Sequence, residues 1–244
     1  MNIAYEFAKK MQFMDKFVPG RWRVPFRYLS QRIFGGLEPE MRFLSRLVKQ
    51  GSIAVDVGGN RGTYTYALSK LCRQVITFEP IPSCAEMLQQ WGKNKNVTVY
   101  ECALGEHEGT LALHLPRLHG ALVTTRASLS RTDGEGIDFA VPIKTLDQFE
   151  LEEVSFIKID VEGFELATLK GARKTLARLR PNLLVEIDPL QQSAEAFRST
   201  FSWIEDQGYR GHYMVDGALT PCDARIQLTK PNCYNFIFLP ATPP

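Results

Sequence analysis

Val55-Asp56-Val57-Gly58-Gly59-Asn60-Arg61-Gly62-Thr63 decides how this chain is read. The stretch follows Ile53-Ala54, the start of a short apolar strand, and opens a helix expected over Thr63 to Leu71. A strand, a glycine turn and a helix in that order build the ligand-binding end of an open α/β sheet, where ligands settle at the carboxyl ends of the strands. Gly58 and Gly59 leave no side chain in the way, so backbone can approach a ligand and take positive φ where needed. Asp56 places an acid at the strand tip, suited to a cationic amino group.

The turn discriminates between two ligands. A dinucleotide site carries Gly-x-Gly-x-x-Gly, with a helix N-terminus on the pyrophosphate. Here the order is Asp-x-Gly-x-Asn-x-Gly, and Asp56 would repel phosphates. S-adenosylmethionine has no phosphate and carries an ammonium, so it is preferred, with Asp56, Gly58, Gly59, Asn60 and Gly62 as its binding turn. A glycine-rich turn without a ligand stays open as the bland alternative.

Working outward, alternation continues. Strands are expected at Gln74–Phe78, Val97–Cys102, Phe156–Asp160 and Asn182–Ile187, with helices at Ser83–Trp91, Glu165–Arg178 and Ala194–Gln207. This order demands parallel pairing with helical crossovers. Gly211–Val215 and Asn235–Leu239 close the chain as the antiparallel end of the sheet. Gly109–Leu115 and Phe139–Ile143 read as inserted strands around an irregular stretch from Pro116 to Asp138. The fold class is therefore α/β and Rossmann-like, a mostly parallel sheet with an antiparallel C-terminal strand and an inserted β-hairpin or loop. Residues 51–244 form this domain, and residues 1–50 a helical leader or cap.

Two further strand ends carry site candidates. Glu79 ends the second strand, about 20 residues past the glycine turn, where an acid accepts hydrogen bonds from ribose hydroxyls. Ala103 and Leu104 follow the third strand and offer small, apolar contacts for an adenine, or ordinary packing.

In the leader, apolar residues recur at helical spacing from Ala4 to Phe17, Pro19-Gly20 breaks the pattern, and a second helical stretch runs from Glu38 to Lys49. Lys9, Lys10, Lys16, Arg21, Arg23, Arg27 and Arg32 face only Glu6 and Asp15. A solvated helical cap is the preferred reading, and peripheral contact with an anionic membrane the alternative.

Composition bounds the rest. Of 244 residues, 44% are hydrophobic, enough for an ordinary core, and the net charge of +2 brings no field that demands nucleic acid. No nucleic-acid partner is expected, and nothing in the charge argues against a small-molecule substrate. Five scattered cysteines and four scattered histidines favour reduced thiols in a cytoplasmic protein and suggest no zinc site. No signal peptide or membrane span is read, and nothing sets the oligomeric state.

In order, Asp56-Val57-Gly58-Gly59-Asn60-Arg61-Gly62, Phe78-Glu79-Pro80, Ala103-Leu104-Gly105, Phe156-Ile157-Lys158-Ile159-Asp160-Val161-Glu162-Gly163-Phe164-Glu165, Leu169-Lys170-Gly171-Ala172 and Leu184-Val185-Glu186-Ile187 resemble the FkbM-type methyltransferases. Thr145-Leu146-Asp147 and Ala127-Ser128-Leu129 add to the likeness. The resemblance implies methyl transfer from S-adenosylmethionine to a hydroxyl, often on a sugar or polyketide-like acceptor. It implies a small-molecule or glycan acceptor, covers Ile53 to Ile187 with a weaker tail to Leu239, and excludes residues 1–50.

Such a reaction needs a base. Asp160 is the first candidate, on both the cofactor and the catalytic side, Glu162 the second, and Lys158 a partner that neutralises an acid or orients the acceptor. Glu162 as a helix cap, or as an ion-pair partner of Lys158, is the structural alternative. His119 is a further base candidate. Glu186 closes the acceptor side, and Asp160, Glu162, Glu186 and Asp188 form a weaker alternative as magnesium ligands, though no metal site is expected. Two other functions stay open: a nicotinamide-dependent oxidoreductase, and a non-catalytic cofactor-binding chain that recruits a glycan, lipid or protein through the leader.

Overall fold

The computed structural model describes residues 17–118, 121–122, 136–188, 192–226 and 233–241. Along the chain the strands are β1 (Ile53–Val57), β2 (Gln74–Phe78), β3 (Val97–Tyr100), β4 (Ala103–Leu104), β5 (Gly109–Leu118), β6 (Ala121–Leu122), β7 (Gly136–Lys144), β8 (Val154–Ile159), β9 (Asn182–Glu186), β10 (Tyr209–Val215), β11 (Ala218–Pro221) and β12 (Asn235–Pro240). The helices are α1 (Gly20–Phe34), α2 (Leu44–Leu47), α3 (Thr63–Ser69), α4 (Pro82–Gly92), α5 (Glu165–Lys170), α6 (Arg173–Leu179) and α7 (Ala194–Asp206).

One sheet runs β3-β2-β1-β8-β9-β12-β10-β11. Its first five strands pair in parallel, and β12 enters antiparallel between β9 and β10. Every residue of β1 is buried, as expected of a central strand covered on both faces. The fold is thus the Rossmann-like α/β architecture expected from the alternating pattern. The inserted hairpin is there as well: β5 and β7 pair from Gly109 opposite Ile143 to Pro116 opposite Gly136, and β4 joins β7 in parallel. Leu113, Leu115, Val141 and Ile143 turn inward from it onto Ile81, Cys84 and Ala103.

Several boundaries differ from the sequence reading. The expected break at Pro19-Gly20 is instead the start of α1, with Pro19 as the residue that enters the helix and Gly35 in the left-handed conformation that ends it. The stretch from Glu38 to Lys49 is a 3₁₀ turn, Pro39–Arg42, followed by the single turn α2. The expected strand Val97–Cys102 stops at Tyr100, and the chain then joins the second sheet as β4. The helix expected over 165–178 divides at Gly171-Ala172 into α5 and α6. Both ends of the stretch 116–138 are paired strand. Residues 1–16 and 123–135, with Ala127-Ser128-Leu129, and His119 lie outside the described residues.

Residues 20–48 are packed into the domain. Val24 of α1 meets Leu88 and Trp91 of α4, while Leu44, Leu47 and Val48 join Ala54, Leu68, Phe156 and Leu184 in one apolar cluster. No helix among the described residues is long and apolar enough to cross a membrane.

Gly171 ties the hairpin side to α5. A Cβ there would lie 1.9 Å from the Gly105 carbonyl oxygen, which is backbone and has little freedom to retreat. Gly171→Ala is therefore expected to cost roughly 2–3 kcal/mol in urea unfolding, an overpacking penalty. Gly109→Ala, where nothing lies within 4 Å, should change stability by less than about 0.5 kcal/mol.

Candidate functional site

The glycine turn is built by steric exclusion. Gly58 has φ of 80°, and a Cβ on it would stand 1.9 Å from the Asp160 carbonyl oxygen. The Gly58 and Gly59 N–H groups both donate to the Phe78 carbonyl, which locks the turn to the end of β2. At Gly59 a Cβ would meet Thr77 at 2.3 Å. Gly62, with φ of 83°, leads into α3 and leaves room for Leu88 and for Val24 of α1. Gly59 and Gly62 are therefore small because the core presses on them.

Glu79 staples the turn to the exit of β2. Its Oε2 accepts from the Asn60 N–H at 2.5 Å, and its Oε1 from the Ile81 N–H at 2.8 Å. Burial pushes its carboxyl up to about 7, although these two donors pull it down.

Lys158 and Asp160 leave β8 on the same face, their Nζ and Oδ2 atoms 2.9 Å apart. The Lys158 ammonium is almost fully buried, 4.6 Å from the centre of the Tyr64 ring. Burial opposes its charge, but Asp160, Asp56 and Glu38 outweigh that and hold the ammonium well above its ordinary value. Asp56 sits opposite Lys158 in the β1–β8 register, fully buried, and accepts from the Thr65 hydroxyl at 2.6 Å. Its Oδ1 is buried without a hydrogen-bond partner among the described residues. Burial raises the Asp56 carboxyl, and Lys158 opposes that rise.

Two adjoining cavities open here. The larger, about 240 Å³, is lined by Glu38, Asn60, Glu79, Ile81, Cys102, Ala103, Leu104, Leu113, Asp160, Glu162 and Glu186, among others. The smaller, about 160 Å³, is lined by Arg27, Gln31, Asp56, Arg61, Thr63, Tyr64 and Lys158. Glu38, Gly58, Asn60 and Asp160 border both. Of the described residues around the larger cavity, five are carboxylates and none is Lys, Arg or His. Burial, with Asp160 nearby, pushes Glu186 well above the usual carboxylate range.

The sequence candidates are thus divided. Gly58, Asn60, Glu79, Ala103, Leu104, Asp160 and Glu162 meet around the larger cavity, while Asp56, Gly59 and Lys158 face the smaller one, and Gly62 lines neither. Lys158 pairs with Asp160 rather than with Glu162, which lies in a left-handed turn at φ of 48°. Glu165 reaches back to the Gly163 N–H at 2.8 Å, at the start of α5. Asp160, Glu162, Glu186 and Asp188 do not converge on a metal position; among the described residues no three His, Cys, Asp or Glu side chains do. Glu38 was missed as a site residue. Its Oε2 accepts from the Tyr64 hydroxyl at 2.5 Å and from Asn235 at 3.2 Å, contacts between distant parts of the chain that no local motif announces.

Residues 56–210 match the methyltransferase FkbM domain. The chain belongs to the FkbM methyltransferase family. It is 27% identical to Methyltransferase 1 of Beauveria bassiana over 182 residues, 65% of this chain and 72% of that one. It is also 27% identical to methyltransferase sdnD of Sordaria araneosa over 167 residues, 54% of this chain and 64% of that one. Among solved structures, the FkbM methyltransferase of Methylobacillus flagellatus aligns with 16% identity and a TM-score of 0.47, covering 94% of this chain and 57% of that one.

Glu79 and Glu165 give the methyltransferase a pH signature. Each has an ordinary value of 4.5 and is raised by burial to about 7. Their protonated forms favour folding, so this contribution is complete below about 4.5 and is lost as pH rises through about 7. The thermal midpoint should fall between about pH 5 and pH 8. In Glu79→Gln the fall should be shallower, on a baseline lower by about 1–3 kcal/mol because the new amide must face a backbone N–H.

Proposed function

We propose that this chain transfers a methyl group from S-adenosylmethionine to a hydroxyl of a sugar, glycan or secondary metabolite. The observation that carries the reading is the larger cavity, ringed by Glu38, Glu79, Asp160, Glu162 and Glu186 with no Lys, Arg or His in its described lining and Lys158, behind Asp160, as the nearby ammonium that offsets them. That donor set fits a ligand bearing ammonium and sulfonium charges. It opposes the pyrophosphate of a nicotinamide dinucleotide, which favours the first ligand over the second.

When bound, S-adenosylmethionine supplies an electrophilic methyl group. The chain's own residues do the rest. Glu79 keeps lone pairs beyond those given to Asn60 and Ile81, and these accept from ribose hydroxyls. Ile81, Ala103, Leu104 and Leu113 offer an apolar wall to a planar base. Glu38 and Asp160 balance positive charge.

Asp160 is the proposed base. Lys158 holds its Oδ2, which leaves Oδ1 to take the proton of a hydroxyl presented at the junction of the cavities. Lys158 in turn is kept in place by Asp56 and Tyr64. Glu162 is the second choice, since it borders only the larger cavity. The smaller cavity, with Arg27, Gln31, Arg61 and Thr63, offers the hydrogen-bonding groups that a polyhydroxylated acceptor uses.

Calorimetric titration tests the reading. S-adenosylmethionine and S-adenosylhomocysteine should bind, NADH should not, and affinity for the sulfonium ligand should rise with pH as Glu79 ionises near 7. Asp160→Asn should retain binding and lose turnover by about 10²-fold or more, the usual worth of a positioned base. Turnover that survives this substitution would remove Asp160 as the base. Binding of NADH alone would sink the methyl-transfer reading.

A further inference from the structure

α1 carries two faces of opposite character. Val24 is fully buried against Leu88 and Trp91, and Gln31 accepts from the Thr63 hydroxyl at 3.1 Å, so the inner face closes over the glycine turn. On the other side Trp22 is 56% exposed, Leu29 46% and Ile33 74%. Spaced seven and eleven residues from Trp22, Leu29 and Ile33 fall on one stripe of a helix, with half-buried Phe26 between them. Arg21 and Arg32 flank the stripe on one side, the Arg21 guanidinium 6.0 Å from the centre of the Trp22 ring.

Solvent is a poor partner for a tryptophan, a leucine and an isoleucine in a row. Charge selects a better one. Residues 17–37 contain four arginines, Arg21, Arg23, Arg27 and Arg32, and neither an acid nor a lysine. Residues 1–16 carry three lysines against two acids, so covering the face with them would add positive charge to positive charge. A second copy of α1 would do the same. An anionic lipid surface takes the apolar stripe into its headgroup boundary and neutralises the arginines beside it.

We propose that α1 seats this protein on an anionic membrane surface through Trp22, Leu29 and Ile33, with Arg21 and Arg32 on headgroup phosphates. Glu38, at the cleft, follows α1 by only four residues, so the same docking holds the mouth of the site close to the bilayer.

The full chain is mixed with vesicles of phosphatidylcholine alone, or with roughly one-third phosphatidylglycerol, and sedimented. Binding to the anionic vesicles only, with a blue shift of the Trp22 emission isolated by Trp22→Phe, is the expected result. Trp22→Glu/Ile33→Glu and Arg21→Glu/Arg32→Glu should each weaken it at least about tenfold. These outward side chains should leave the thermal midpoint and S-adenosylhomocysteine binding unchanged, which separates lost docking from lost folding. Equal binding to both vesicles, binding untouched by the substitutions, or none at all would overturn the proposal. So would a Trp22 already shielded from acrylamide before vesicles are added, which would mean that residues 1–16 or a second copy cover the face.

Discussion

Strands β1 and β8 end against each other because residue 58 has no side chain. The Asp160 N–H donates to the Val57 carbonyl at 3.1 Å, and the Asp160 carbonyl then occupies the space that a Cβ on residue 58 would need. That contact fixes where the two strand exits diverge. It brings Lys158 level with Asp56 across the ladder and leaves the Asp160 carboxylate at the border of the two cavities. Positive φ at the same residue turns the chain away from the sheet, so Asn60, two residues on, reaches Glu79 instead of continuing a strand.

Charge then becomes the second constraint. Buried acids are tolerated when paired or hydrogen-bonded, and are expensive otherwise. One ammonium, that of Lys158, serves Asp56 and Asp160 together. Glu79 relies on two backbone donors, and Glu186 sits among like charges with its carboxyl pushed up. The pattern of several acids raised by burial in one cleft is typical of a ligand site. A cation entering this cleft meets carboxylates already oriented, since Glu38 is held by Tyr64 and Asn235 and Asp160 by Lys158.

The elements visible in the sequence are those that local pattern determines. β1 and β2 have the expected bounds because short apolar runs ended by glycine or an acid leave few alternatives. α1 was hidden because Pro19-Gly20 reads as a stop, whereas a proline at a helix entry is also a start, and tertiary contact through Val24 decides between them. The break at Gly171 was hidden for a related reason: helical periodicity continues through it, and only the approach of Gly105 forbids a side chain. In the site, Glu79 was legible from its distance to the glycine turn. Glu38 was not, because its place depends on Tyr64 and on Asn235, 197 positions away.

That last contact bears on how acceptors are distinguished. The residues shared with the family run from 56 to 210 and supply the glycine turn, Glu79 and Asp160. Glu38, Arg27 and Gln31 precede that span, and Asn235 follows it. The smaller cavity therefore takes part of its lining, Arg27, Gln31 and Glu38 included, from before the matched span, whereas the larger takes only Glu38 from there. A fold can keep its chemistry while its surrounding segments change, and function is then read from the site and not from the fold. In this chain α1 performs part of that role: its Arg27 and Gln31 line the smaller cavity, and the segment that follows it brings Glu38 to the border of both.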